Sequence, residues 1–392
     1  MITKKNNNLW LEFGYSNIIK SGEELSGDNV QMKYLNEFTT IVLSDGLGSG
    51  VKANILSTLT SNILSTMISE DIDIIDCVET ILLSLPIDTE RGLAYSTFSL
   101  LYVNKTGFGY LLEFDNPEAI YIKNGIVVPL EREEFYIKDF KVFKSVINLD
   151  INDYIILLSD GVIHSGIGQT LPYGWRRSDL CKYIDEIIDL SMSPIRLATL
   201  ITNKCKMISN NVAGDDITVV ILKLRTRYPV NVFIGPPIDK KNDSKYVEDF
   251  LMSPGVKVVS GGTTANIIAR YLNKEIKVDL KSFSREIPPI ATIEGIDLIT
   301  EGVVTYRKVL ENSKKYISPL DLESKKYSLF DGASLLTDLL FEKATEITFF
   351  LGQSINYAHR GFPIEITLKL KLVEQLASNL MKIGKKVEIK YN

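Results

Sequence analysis

The sequence predicts two domains, an antiparallel α+β domain followed by a smaller α/β, Rossmann-like domain with a mainly parallel sheet. Three observations carry this. The chain has 392 residues, and domains usually run to about 100–200. Up to about residue 226, hairpin-forming strands are interleaved with blocks of helix, the signature of layered α+β architecture. Beyond "RTRYPV" (225–230) short strands alternate with helices, which argues for βαβ units. The boundary falls near Tyr228, giving expected domains of 1–227 and 228–392.

In the first domain "FTTIVLS" (38–44) is rich in β-branched residues and reads as a strand. Residues 51–68 place Ile55, Leu56, Leu59, Ile63, Leu64 and Met67 at helical spacing, and 74–85 form a second amphipathic helix. Residues 95–104 and 107–116 are strands joined by a turn at Asn104–Gly107. "EAIYIKNGIVVPL" carries Asn-Gly at 124–125 between apolar runs, a strong hairpin signal. "DYIILLSDGV" (153–162) is a buried strand ending in Asp-Gly. Two helices follow, in "DLCKYIDEIIDL" and "SPIRLATLITNKCKMI", and "DDITVVILKL" (215–224) is a closing strand. In the second domain the strands are "NVFIG", "KVVSG", "KVDL", "DLIT", "EITFFLG" and "KKVEIKY".

Composition narrows the function. Apolar residues make up 45% and charged residues 24%, ordinary for a globular protein. A net charge of −5 argues against nucleic-acid binding. Cys77, Cys181 and Cys205 are scattered without CxxC spacing, as expected in a reducing cytoplasm. The N-terminal "MITKKNNNLWLEF" lacks the apolar core of a signal peptide. No apolar run approaches the roughly 20 residues of a membrane span. A cytoplasmic location is therefore expected. Only two histidines, His164 and His359, are present, which leaves little material for a Ser-His-Asp triad or a His-rich zinc site.

Carboxylates carry the chemistry instead. "LSDG" occurs twice, each time at the end of an apolar strand, with Asp45 and Asp160. Asp215 and Asp216 open the closing strand, and "SGDN" supplies Asp28. Any one Asp-Gly is most simply a turn. Four acids at strand ends repel one another and call for a cation. Oxygen donors without Cys or His select Mg²⁺, Mn²⁺ or Ca²⁺ over zinc. Two such ions can share a bridging carboxylate and activate a water. Glycine after the acid allows a backbone carbonyl to approach as a further ligand.

In order, "SGDN", "VLSDGLGSG", "YSTFSLLYV", "ILLSDGV" and "GDDITVVIL" resemble the stage II sporulation protein E-type serine/threonine phosphatases, over about residues 10–226. That family has the metal-dependent type 2C phosphatase fold, so the resemblance implies an α-β-β-α sandwich. It implies two Mn²⁺ or Mg²⁺ ions, with Asp45 bridging both and the Gly46 carbonyl on one of them. Asp160 and Asp215 match the ligands of the other ion. Asp28 matches the acid on the Gly46 side, and Asp216 ranks behind Asp215. The implied activity is hydrolysis of phosphoserine or phosphothreonine by metal-activated water, without a protein nucleophile. The implied substrate is a small signalling phosphoprotein such as an anti-sigma-factor antagonist. His164, four residues beyond Asp160, is a candidate acid for the leaving oxygen; its plainer reading is a loop histidine. No arginine near the N-terminal motif matches the one that the wider class uses for substrate phosphate.

Residues 228–392 resemble no family. "KVVSGGTTANIIARYL" is a strand, a Gly-Gly turn and a helix. Gly261 and Gly262, with Thr263 and Thr264 as candidate N-caps, form a candidate site for a small anionic ligand. A tight turn is the plainer alternative. Asp279 lies 18 residues after Gly261 (279 − 261), near the spacing at which a dinucleotide fold places its ribose-binding acid, although GxGxxG is absent. His359 and Arg360 in "YAHRGFP" are a further candidate anion contact or an ordinary loop. The leading expectation is a phosphatase with a regulatory second domain, no nucleic-acid or membrane partner, and room for a homodimer. The alternatives are a non-catalytic, metal-binding, ligand-responsive module and a separate enzymatic activity in the second domain.

Overall fold

The computed structural model describes residues 8–35, 37–70, 72–84, 87, 88, 93, 94, 96–237, 243–282, 287–317, 330–352 and 364–391. The chain divides into two compact units, Met1–Thr226 and Arg227–Asn392. No helix among the described residues is long and apolar enough to cross a membrane.

The first unit runs β1 (Leu9–Ile18), β2 (Asp28–Tyr34), β3 (Phe38–Gly46), α1 (Gly50–Ser69), α2 (Ile74–Ser84), β4 (Ile87–Asp88), β5 (Leu93–Ala94), β6 (Ser96–Asn104), β7 (Phe108–Phe114), β8 (Ile120–Lys123) and β9 (Ile126–Val128). It continues with β10 (Glu133–Ile137), β11 (Phe140–Asn148), β12 (Tyr154–Leu158), α3 (Asp160–Ile163), α4 (Arg177–Ile187), α5 (Pro194–Ile208) and β13 (Ile217–Thr226). Two antiparallel sheets result, ordered β1-β13-β12-β8-β9 and β10-β11-β7-β6-β3-β2. The β8–β9 turn is made by Asn124 and Gly125, both at positive φ, as its Asn-Gly sequence demands.

Side-chain alternation builds the layers. On β13, Ile217, Val219 and Ile221 join a core with Leu180 and Ile184 of α4 and Leu197 and Ile201 of α5. Val220, Leu222 and Leu224 point the other way, into a core shared with Ile41 and Leu43 of β3. Val42, between those two, packs under Leu64 and Ile68 of α1 and Val78 and Ile81 of α2. Period-2 strands thus serve a central core on one face and a helix layer on the other. The layers are helix, sheet, sheet, helix.

The helix α1 forms where helical spacing predicts it, but Ile55, Leu59 and Ile63 of its apolar stripe face outward. Ile55 and Leu59 are each 52% exposed, whereas Ala53, Ser57, Thr60, Ser61, Leu64, Ser65 and Ile68 are buried. Small hydroxyl side chains let the helix sit tightly on β2 and β3. The Ser44 hydroxyl donates to the Ser57 carbonyl (2.6 Å) and Ser61 donates to Asn29 (2.8 Å).

The second unit contains β14 (Pro229–Ile234), α6 (Asp243–Met252), β15 (Val256–Ser260), α7 (Gly262–Leu272), β16 (Lys277–Asp279), β17 (Ile290–Ile293), β18 (Ile296–Thr300), α8 (Val303–Ile317), α9 (Gly332–Thr337), β19 (Glu346–Leu351), α10 (Ile364–Lys382) and β20 (Lys386–Tyr391). Its sheet is mixed and mostly parallel, ordered β16-β17-β18-β15-β14-β19-β20. The five strands from β18 to β20 are parallel. At the other edge β16 and β17 run antiparallel. Phe233, Phe250, Val259, Ile268 and Phe350 form one of its cores.

Candidate metal centre

Four acids reach one end of the sandwich from four different elements. Asp28 opens β2 and Asp45 stands next to last on β3, and the antiparallel register puts them directly opposite each other. Asp160 is the first residue of α3, immediately after β12, while Asp215 lies just before β13. Because β12 and β13 pair with Leu158 opposite Val219, the end of one and the start of the other coincide.

Hydrogen bonds join the two sheets at this rim. The Thr218 hydroxyl donates to Asp28 Oδ2 at 2.6 Å and accepts from Asn17 Nδ2 at 2.6 Å. The Thr218 N–H donates to the Ser159 hydroxyl at 2.9 Å. Asp216 is buried, and both its oxygens accept backbone N–H groups, from Lys20 (3.0 Å) and Gly27 (2.8 Å). It thereby fastens the segment between them over the site. Gly46 N–H donates to the Gly27 carbonyl at 3.1 Å, and the Asn54 amide holds the Ser26 carbonyl at 2.8 Å.

Both "LSDG" glycines are required by close backbone approach. A Cβ on Gly46 would lie 2.0 Å from the Ala53 carbonyl oxygen, and one on Gly161 would lie 2.0 Å from the Asp216 carbonyl oxygen. Each glycine lets a strand end press against the next part of the site.

The electrostatics match the crowding. Burial pushes the Asp45 carboxyl up to about 9, with further contributions from Asp28, Asp160, Asp215 and Asp216. Burial also lifts Asp28 to about 7, against the Thr218 and Ser159 hydroxyls, with Asp216 and Asp160 adding to the rise. Asp215 is raised by burial and then by Asp160. Its Oδ1 has Lys20 Nζ at 3.8 Å. Asp28 Oδ1 is buried without a hydrogen-bond partner. A buried, unpartnered carboxylate oxygen among mutually repelling acids is the donor set a hard cation satisfies. Among the described residues no three His, Cys, Asp or Glu side chains form a ready-made ligand triad.

His164 caps the end of α3, with Nδ1 3.6 Å from Asp160 Oδ2 and its side chain 55% exposed. Sequence reasoning passes over Asn17, Lys20, Ser159 and Thr218. Thr218 had a signal, since alternation along "DDITVV" turns it away from Ile217 and Val219.

In the second unit Gly261, at φ +99°, is the N-cap of α7, and no side chain caps the helix. The expected Thr caps do not form. Thr264 is buried and its hydroxyl accepts the Gly235 N–H at 3.0 Å, pinning the end of β14, while Gly262 and Thr263 are exposed. Asp279 is on edge strand β16, three places from β15 in the sheet, so it does not sit beside the Gly-Gly turn. Its carboxylate accepts the Lys281 N–H instead. His359 and Arg360 lie outside the described residues.

Residues 37–225 match the family model described as Stage II sporulation protein E (SpoIIE). This match lies wholly within the first unit. The match ends within β13, so it takes in Asp45, Asp160, Asp215 and Asp216 and stops short of the second unit. No curated protein matches the chain. Among solved structures, the SpoIIE phosphatase domain from Bacillus subtilis, in a crystal form without domain swapping, is 21% identical. It aligns over 57% of this chain and 95% of that one, with a TM-score of 0.45. The PP2C phosphatase domain with a fragment of the regulatory domain of the same B. subtilis protein is 22% identical, over 57% and 65%, with a TM-score of 0.49. A serine/threonine phosphatase from S. agalactiae is 14% identical, over 55% and 99%, with a TM-score of 0.40.

Proposed function

We propose that this SpoIIE-like unit is a metal-dependent phosphatase acting on phosphoserine or phosphothreonine of a signalling protein, and that the second, Rossmann-like unit regulates it. The observation that carries the reading is the convergence of Asp28, Asp45, Asp160 and Asp215 from four elements onto one rim, with Asp28 Oδ1 buried and unpartnered. Asp45, lifted by burial and then by the acids around it, would be the central ligand for two Mn²⁺ or Mg²⁺ ions. Asp160, Asp215 and the Gly46 carbonyl complete the protein's share, with Asp28 on the Gly46 side. Asp216 holds the covering segment through Lys20 and Gly27. Bound divalent cations supply an activated water and neutralise the phosphoryl oxygens.

The chain's own residues do the rest. Thr218 and Ser159 orient Asp28, and burial keeps the acids short of countercharge. His164, on the exposed rim beside Asp160, is our candidate acid for the leaving serine or threonine oxygen. By family likeness the substrate is an anti-sigma-factor antagonist or a similar small phosphoprotein, met in the cytoplasm.

The test is release of phosphate from p-nitrophenyl phosphate with Mn²⁺ or Mg²⁺. Asp45→Asn is expected to lower turnover on the order of 10²-fold or more while keeping the far-UV spectrum. Equal turnover by Asp45→Asn and the unaltered protein refutes the assignment.

A further inference from the structure

A cavity of about 340 Å³ opens beside the carboxylate rim. Its walls include Gly161, which follows Asp160, together with His164, Ile167, Gly214, Asp215 and Ile217. It adjoins the point where the proposed chemistry occurs. Its volume, at the low end for ligand sites, suits one or two amino-acid side chains.

Beyond His164 and Asp215, the polar side chains in the walls are already committed. The buried Ser165 hydroxyl donates to the Gly161 carbonyl at 2.8 Å. The buried Ser209 hydroxyl accepts the Gly166 N–H at 3.0 Å. Gln169 Nε2 donates to the Val212 carbonyl at 3.0 Å. A polar or charged side chain entering here loses water and finds few replacement partners, which is unfavourable. An acidic one also faces Asp215 across the mouth. Apolar surface, by contrast, is on offer. Ile167 supplies it, at 50% exposed, while Ile217 backs the wall from the buried core. Gly214 leaves the space open, since a Cβ there would meet nothing within 4 Å.

We infer that this cavity is a specificity subsite that receives an uncharged, apolar side chain flanking the phosphorylated residue of the substrate. The inference rests on the phosphatase reading above. The pocket therefore selects phosphoproteins by the residue beside the phosphate, while the carboxylate rim handles the phosphate itself.

The experiment uses the full chain loaded with Mn²⁺ and synthetic phosphoserine peptides. Leu, Asp or Lys is placed immediately before the phosphoserine in one set and immediately after it in the other. p-Nitrophenyl phosphate, which has no flanking residue, is the internal reference. The Leu peptide is expected to exceed the Asp and Lys peptides about tenfold in kcat/KM on one side. Ile167→Asp abolishes that advantage, and Gly214→Leu, which fills the cavity, lowers the Leu-peptide rate relative to the reference. Equal kcat/KM for the three peptides in both sets, with the reference hydrolysed, overturns the subsite. So does a preference that both variants leave intact. Failure to hydrolyse the reference at any metal concentration overturns the phosphatase reading itself, and the subsite with it.

Discussion

At the scale of the residue, Asp45 is held where its charge is least welcome. Its carboxyl is raised to about 9 and that of Asp28 to about 7, from 3.8 in an unstructured chain. Both bind a proton more tightly folded than unfolded. Their stabilising contribution is therefore full below about 3.8 and is lost as pH rises through about 7 and then about 9. Without divalent cations, the melting temperature is expected to fall between pH 5 and pH 9, and saturating Mg²⁺ to flatten that slope. At pH 8 in EDTA, Asp45→Asn is expected to melt above the unaltered protein, because an amide spares folding the proton uptake that the buried Asp45 carboxyl requires at that pH. A melting temperature independent of pH over that range, by scanning calorimetry, contradicts this description of the rim.

The same residues show how far the sequence can be read. Asp45, Asp160 and Asp215 are legible because a repeated "LSDG" and a closing "DDIT" sit against apolar strands. Asp28 is legible only with them, since the register that sets it opposite Asp45 is not in its local sequence. Asp216 looks identical to Asp215 in sequence. Only the fold shows that its oxygens are taken by Lys20 and Gly27 backbone groups contributed from about 190 residues away.

At the scale of the element, strands and helices are legible wherever period and turn chemistry agree, as at Asn124–Gly125. Their faces are harder. The outward facing of Ile55, Leu59 and Ile63 on α1 follows from hydroxyl-rich packing on β2 and β3, which no hydropathy pattern reveals. The KVD segment reads as one more strand of an alternating α/β series. Its partner β17, with only four residues and no strong signal, is the strand that runs against the sheet, so KVD pairs antiparallel.

On β13, alternation sends Lys223 to the helix-side face, where it is 1% exposed. There Nζ donates to the Leu190 and Met192 carbonyls and lies 4.8 Å from the Tyr154 ring centroid. Lys223→Met strips those carbonyls of a charged donor. A loss of roughly 1–3 kcal/mol is expected in urea unfolding, and an unchanged midpoint shows that the ammonium does not hold the 189–192 loop.

At the scale of the whole molecule, the two units differ in how much the sequence discloses. The first carries a family resemblance legible in sequence, because its motifs recur in order along a two-sheet sandwich. The second shows its parallel strands in sequence but points to no ligand: the expected Thr caps do not form at the Gly-Gly turn, and the His359–Arg360 segment lies outside the described residues. The central claim concerns the first unit alone: its acids hold cations, and those cations turn over phosphate esters. The most direct measurement is a Mn²⁺ titration of the full chain at pH 8, following melting temperature and p-nitrophenyl phosphate turnover on the same samples. The two are expected to rise together with one midpoint, and both responses to vanish in Asp45→Asn. Turnover that persists in EDTA, or a metal-induced rise in melting temperature without any turnover, contradicts it.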